Sequence, residues 1–480
     1  MSVQGIIDDA APARAGPRDR GLRRARAGVT AAFAVGGGLV GVFTARIPAL
    51  MDEMGLSTIR LGVLLLLWGL GAVATMQALR WLMPRTGSAP VLRAAAPLSA
   101  VTVALVGWAA TYGVLLAVVT VFGMAFGALE VAAKAQGSAV ENGYGRPLMG
   151  LMHAGWPIGA GLGGLAAAAC AGANVSYAST LVGAAAVATP VALALGATLL
   201  HRAGPAVPPA RPGRVYGHRR VQPVVYLLGV VAFGGLVLEG AVTDWTGVHL
   251  HDGLGASQAL AALAYPMFQA GMLAGRLGGD RLRARFGART VIIGGAVATA
   301  MGMVGATATP DPPLVLAAVF GSGVALGPVT PMAFSLAGAA DRGATDTATA
   351  QLGVLGYAGI VAGPALIGGL AHLVGLQAAL GVVAVLLATA IATVAQLLPR
   401  STDIGPMRRR TQTTTLGVGV NGGMSRTKMT HHEYRASVYR LAQDDGDPRR
   451  NRRRLTALRD AFAPPNTYAV TASGAVDVAS

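Results

Sequence analysis

The feature that most constrains this chain is an uncharged, mostly apolar run of about 20 residues that recurs every 25 to 35 positions. Hydrocarbon offers backbone N–H and C=O groups no hydrogen-bond partner. A run of this kind therefore becomes a helix that satisfies its own backbone. Only 12% of the 480 residues are charged and 53% are hydrophobic, whereas a soluble domain carries about twice that charge fraction. The 68 glycines suit helices that approach one another closely. The pattern predicts an all-α membrane protein with twelve spans, near 27–48, 59–80, 94–111, 113–134, 147–170 and 177–200, then 223–248, 257–277, 290–308, 313–335, 345–371 and 375–398.

Charge placement tests that count. With the N-terminus in the cytoplasm, 35 of the 38 basic residues fall on cytoplasmic segments, as the positive-inside rule requires. One helix more or fewer would invert the later loops. The net charge of +17 is then mostly topological, with some attraction to lipid headgroups. Nucleic-acid binding fits poorly, because the basic residues flank spans and no aromatic-basic groove accompanies them. Residues 1–26 are a basic tail. The first apolar run lacks a convincing cleavage site and reads as a retained helix. Cys170 is the single cysteine, so no intramolecular disulfide forms.

An internal repeat divides the chain. "RTGSAPV" (85–91) and "RFGARTV" (285–291) share R-x-G-[SA]-x-x-V at an offset of 200 residues, and "GWPIG" (155–159) faces "LGYAG" (355–359) at the same offset. The expected organisation is a cytoplasmic tail (1–26), a six-helix half (27–200), a basic cytoplasmic linker (201–222), a second six-helix half (223–398) and a polar, basic cytoplasmic tail (399–480). Residues 401–480 hold thirteen basic and seven acidic residues and no sustained apolar face, and read as disordered. Parallel repeats of this kind belong to transporters whose site lies between the halves.

Several stretches make the resemblance specific. "GRLGGDRLRARFGART" (275–290) resembles the loop signature G-x-L-x-D-R-x-G-R-R of the major facilitator superfamily, stretched by a few residues. "ARIPALMDEMGLS" (45–57), "RPLMGLMHAGWPIGAG" (146–161) and "LEGAVTDWTGVHL" (238–250) are similar to a bacterial subgroup related to sugar-type proton symporters. The resemblance implies the major facilitator fold of two pseudo-symmetric six-helix halves, in a bacterial cytoplasmic membrane. It also implies that Asp280, Arg281, Arg285 and Arg289 form a conformational latch between helices eight and nine. Relatives usually read D-V-x-M-N where this chain reads Glu130-Val131-Ala132-Ala133-Lys134: the acid is kept in type and the amide has become a cation.

Charges at membrane depth are expensive and face protein or water. At 1.5 Å per residue, Glu130 lies about 25 Å into its helix, Lys134 a turn deeper, and His153 about 9 Å into the next. All three can line one vestibule, and Glu130 and Lys134 share a helix face at i, i+4. The alternative for Lys134 is a helix-end side chain that snorkels to the headgroups. Glu239 is the best single candidate for a titrating site; the competing reading is a carboxylate permanently hydrogen-bonded in a helix contact. Asp244 lies near the outer interface at the depth of Arg46, which suggests an Arg46–Asp244 outer gate. The competing reading makes Arg46 and Trp245 interfacial anchors. Trp156, Tyr265, Gln269, Gln351 and Tyr357 are further cavity-lining candidates.

The reading is a monomeric secondary transporter that moves a small organic solute by alternating access, driven by protons. It uses no cofactor and no metal. The alternatives are a proton-driven efflux antiporter, a non-transporting sensor and a polytopic enzyme. The enzyme reading lacks a metal-spacing motif, since His249 and His251 alone do not make one.

Overall fold

The structure, a computed structural model, describes residues 17–146, 148–200, 223–340, 345–398, 414–418 and 424–429. Helices α1 (Pro17–Ala45) and α2 (Ile47–Met54) open it, followed by α3 (Thr58–Thr86), α4 (Ser88–Gly107) and α5 (Tyr112–Tyr144). The fifth expected span is split into α6 (Met149–His153) and α7 (Gly155–Gly172), and α8 (Tyr177–Leu195) ends the first half. The second half comprises α9 (Pro223–Val248), a π-helical turn at His249–Gly253, α10 (Gln258–Ala262), α11 (Ala264–Phe286) and α12 (Ala288–Ala308). It continues with α13 (Pro312–Leu326), α14 (Val329–Ala340), α15 (Thr345–Val374) and α16 (Leu376–Gln396). Among the described residues, eleven helical stretches are long and apolar enough to cross a membrane. The expected span at 257–277 coincides with α11, which is outside that set because Arg276, Asp280 and Arg281 enter its second half.

The two halves are built on one plan, and glycine shows it. A side chain on Gly123 would strike the backbone carbonyl of Trp68; one on Gly323 would strike that of Phe268. Gly127 is pressed against Ala72 as Gly327 is against Met272, and Gly71 against Thr120 as Gly271 is against Phe320. Each pair is separated by 200 positions. The packing of α3 on α5 thus recurs as α11 on α13 without a residue of slippage. Local chemistry repeats too. Ser57 and Ser257 accept the N–H groups of Arg60 and Leu260 as helix N-caps. Gly87 (φ 81°) and Gly287 (φ 78°) turn the chain between consecutive helices in backbone that a Cβ would strain. In lipid there is little hydrophobic drive between helices, so close approach at small residues supplies the packing.

The proximal face is the one at which α1 begins; the distal face is the opposite one. The halves meet in the distal part of the bundle. Gly368 of α15 lies against the Thr58 carbonyl, Gly62 of α3 against Pro364, and Gly164 of α7 against Pro266 of α11.

Two expectations change. The fourth span does not end near 134: α5 runs 33 residues to Tyr144 and stops at Gly145, whose φ of 64° closes the helix in left-handed backbone. Ala135–Val140 holds no proline, and its weakest helix former, Gly137, disfavours the helix by only about 1 kcal/mol; the polar turn after Lys134 is helical and Lys134 is not at a helix end. In the tail, β1 (Thr414–Val418) pairs antiparallel with β2 (Met424–Met429) in a separate unit, Thr402–Ser480. The sequence reading contained no such hairpin; the remainder of that tail, the 1–16 segment and the linker lie outside the described residues.

Gly159 and Gly161 separate packing from propensity. A Cβ at Gly159 would collide with the Ala34 carbonyl, whereas at Gly161 it meets nothing within 4 Å. Overpacking typically costs about 1–3 kcal/mol. Gly159→Ala is expected to lower the thermal midpoint of the purified protein by several degrees, and Gly161→Ala to leave it unchanged or raise it. Equal shifts would contradict the packing assignment.

Candidate functional site

The helix α5 presents Glu130 and Lys134 one turn apart. Lys134 Nζ lies 2.7 Å from Glu130 Oε1, and it donates across the halves to Tyr357 Oη of α15 at 3.5 Å. His153 Nε2 is 3.8 Å from the same Glu130 oxygen. The second oxygen, Oε2, is buried without a hydrogen-bond partner. The Glu130 side chain is 10% exposed and that of Lys134 44%. The carboxylate is recessed, and the ammonium is the more exposed member of the pair. An ammonium has three donors, so one remains after these two contacts.

His153 is placed by two local devices. Glu141 Oε2 accepts the N–H groups of Leu148 and Met149 at 2.7 Å each, which fastens the start of α6 to the end of α5. Pro157 has no N–H for the His153 carbonyl, and the helix breaks at Ala154 between α6 and α7. The His153 ring then packs on Phe33, with centroids 4.7 Å apart. Beside it runs an aromatic wall. Trp68 stacks on Phe126 at 5.0 Å, and Phe126 meets Trp156 at 5.3 Å. Gly36 of α1 makes room for the Trp156 ring.

The second half contributes Glu239 and Asp244, both half-buried on α9. Arg276 of α11 acts electrostatically on Glu239, and its Nε has no hydrogen-bond partner. Thr243 Oγ1 donates to Asp244 Oδ1 at 3.1 Å. Gln269 Nε2 donates to Tyr265 Oη at 3.0 Å, both buried, and the two acids of α9 act on that phenol. Gln351 is exposed.

The structure does not bring Arg46 and Asp244 together. Pro48 has no N–H to continue α1, and the chain turns at Arg46 (φ −101°, ψ 11°). Its guanidinium is thereby directed to its own half, where Nη2 donates to the Val175 carbonyl at 3.0 Å. Asp244 instead accepts from Thr243 of its own helix and acts electrostatically on Tyr265 of α11. The distal crossing is made by residues that the sequence reading did not select. Asp52 Oδ2, beyond α1, lies 2.9 Å from His251 Nε2 in the π-turn beyond α9, and Gln258 Nε2 donates to the same oxygen at 2.6 Å. His251 Nδ1 lies 2.8 Å from the Ala256 carbonyl. Both ring nitrogens therefore face acceptors. Gln258 Nε2 also lies 3.1 Å from His251 Nε2, so a neutral ring protonated on Nδ1 can accept there; only the doubly protonated ring donates to both Ala256 and Asp52. Asp52, His251 and Asp252 also bring ligand atoms within 4.8 Å of one another. With both His251 nitrogens already engaged, this cluster fits a lock better than a metal cradle. The positions of Asp52 and His251, each just past a quasi-equivalent helix, are the signal that could have found them.

In the α11–α12 turn, Asp280, Arg281 and Arg285 are exposed and Arg289 half-buried. Among the described residues Asp280 has no ion pair. The contact made there is that of Arg283, outside the expected set, whose Nη1 donates to Ser335 Oγ of α14 at 2.9 Å; Arg285 lies over its neighbour Phe286.

A family model for the Major Facilitator Superfamily matches residues 147–340 and 248–475. An uncharacterized transporter of Sinorhizobium fredii is 33% identical over 371 residues, covering 77% of this chain and 97% of the relative. The chain belongs to the major facilitator superfamily. It is a multi-pass membrane transporter and not an enzyme. An uncharacterized MFS-type transporter of Yersinia pestis is 30% identical, covering 75% of this chain and 93% of the relative. The fold is similar to that of a variant of the nucleoside transporter NupG (TM-score 0.65, 13% identity, 77% of this chain and 99% of that one). It is also similar to a bacterial homolog of the human lysosomal transporter Spinster in an inward-facing, unoccupied conformation (TM-score 0.60, 16% identity, 78% and 92%).

The His251 lock has a pH sign. It holds while the imidazole is doubly protonated and loosens as pH rises through the range in which imidazoles lose that proton. Spin labels at Glu53 and Leu373, on opposite halves of the distal face, are expected to stay at short separation near about pH 5 and to move apart by about pH 8. In Asp52→Asn the separation should no longer respond to pH. A wild-type distance independent of pH would refute the lock.

Proposed function

We propose that the protein is a secondary active transporter that moves a small organic solute by alternating access, coupled to protons. The observation that carries this reading is a set of ionisable groups at membrane depth on both halves, with the Lys134–Tyr357 contact crossing between the halves at the site. Glu130, Lys134, His153 and Trp156 stand on one half, and Glu239, Asp244, Tyr265 and Gln269 on the other. Carboxylates at this depth are retained where they bind or carry something, because insertion alone disfavours them by about 2.5–3.5 kcal/mol each. Glu239 is the proton carrier in this reading. Its side chain is half-buried, and Arg276 is the charged neighbour that responds when it gains or loses a proton.

The protein works as a monomer in the bacterial cytoplasmic membrane, with the proximal face and both termini in the cytoplasm. The basic linker at 201–222 joins the halves on that side. The Asp52–His251 lock and the Gly62–Pro364 contact then form the outer closure, and solute reaches the aromatic wall from the cytoplasmic side in this conformation. Asp280, Arg281, Arg285 and Arg289, with Arg283, act at the inner closure when the halves tilt the other way.

The test is proton flux in proteoliposomes loaded with a pH-sensitive dye, with candidate solutes added outside. Solute-dependent proton movement is expected in the native protein and a loss of at least tenfold in Glu239→Gln. An unaltered pH dependence of uptake in that variant would remove Glu239 as the carrier.

A further inference from the structure

We propose that Lys134 binds the acidic group of the transported solute, and that the solute's carboxylate displaces Glu130 from Lys134 while Glu130 takes up one proton. This rests on the transport reading and names its substrate class, a small ring-bearing monocarboxylate.

Three observations carry it. Lys134 has 44% of its side-chain surface exposed, while its partner Glu130 is only 10% exposed, so an incoming anion meets the ammonium first. Glu130 Oε2 is buried and unpartnered, so the carboxylate has an unused acceptor that a proton would satisfy. His153 Nε2 stands 3.8 Å from the other oxygen, on the next helix α6, which begins at the proximal end of α5. The titratable groups facing Glu130 are Lys134 on its own helix and His153 from α6. Tyr357 of α15 faces Lys134. The helices α1, α3 and α7 present Phe33, Trp68 and Trp156 to this region, and α4 meets α5 through the neutral pair Ser88–Gln136.

The exchange balances. Before binding, the Glu130 carboxylate and the Lys134 ammonium neutralise each other. After it, the solute carboxylate pairs with Lys134 and Glu130 holds a proton drawn from water through His153. Site charge is zero in both states, so this site takes up one proton per monovalent anion, separate from the proton carried by Glu239. No covalent bond forms or breaks. The wall of Trp68, Phe126 and Trp156 offers stacking faces to a ring. A solute cation would be repelled by Lys134 and would have only the recessed Glu130 to pair with.

The test measures binding without a gradient, in full-length protein in detergent, by thermal stabilisation. The probes are D-glucuronate and benzoate, with D-glucose and benzyl alcohol as their neutral counterparts. The acids are expected to stabilise and the neutral compounds not. Uptake of one proton per anion makes the apparent Kd rise about tenfold per pH unit on the alkaline side. Glu130→Gln should bind the acids more tightly and lose that slope. Lys134→Met should lose acid-dependent stabilisation, while Lys134→Arg keeps it. The charge-balanced double variant Glu130→Gln with Lys134→Met controls for folding. Failure of both acids to stabilise the native protein, or full acid binding by a folded Lys134→Met, overturns the proposal. If gradient-driven uptake persists in that case, only this inference falls. Acid binding without any uptake would instead remove the transport reading.

Discussion

A carboxylate recessed in a membrane bundle must keep a partner for its charge or give the charge up. Breaking a buried ion pair by removing one member typically costs about 3–5 kcal/mol, because the other is left uncompensated. Glu130 is in this position. Its options are Lys134, 2.7 Å away, or a proton. That restriction links events that would otherwise be separate, since whatever competes for Lys134 decides the protonation of Glu130. The surrounding architecture maintains the choice. Glu141 fastens α6 and so holds His153 within reach, and Gln136 ties α5 to Ser88 and to Leu200, five residues beyond α8.

The framework suits a molecule that moves as two bodies. Within each half, backbones touch at glycine, at positions repeated 200 residues apart. Such contacts are short, specific and intolerant of side chains, which makes each half stiff. Between the halves the distal contacts are fewer in kind: small residues at Gly62, Gly164 and Gly368 and the polar lock of Asp52, His251 and Gln258. A polar lock whose bonding depends on protonation can open without disturbing either half. The Lys134–Tyr357 contact, long at 3.5 Å, crosses the halves at the candidate site, so the charge exchange there and the relative position of the halves are coupled by one hydrogen bond.

Much of the fold was legible in the sequence because the membrane reduces folding to a few rules. Apolar run length set the helices, and a seven-residue motif gave the repeat offset that the glycine contacts share. The grouping of Glu130, Lys134 and His153 was also legible, since helix periodicity and depth suffice to place neighbours on adjacent helices. What was lost lay in loops and breaks. Depth counting set Arg46 and Asp244 at one level but could not show that the break at Pro48 aims Arg46 at Val175. The end of α5 was misplaced because apolarity stops near Lys134 while the helix does not, Gly145 being the first residue that closes it. The Asp52–His251 lock joins two short connections 199 residues apart, and local pattern carries no information on such a pairing. The α11 helix shows the opposite limit: its charges disqualify it by composition although packing keeps it in the bundle.

The central claim is that the two halves rock about a charge-balanced centre, so that one face closes as the other opens. Single-molecule energy transfer with one dye pair across the distal face and another across the proximal face, in nanodiscs, tests it most directly. The account predicts two populations in which the distances change reciprocally: short distal with long proximal, and the reverse. Distances that stay fixed, or that lengthen and shorten together on both faces, would contradict it.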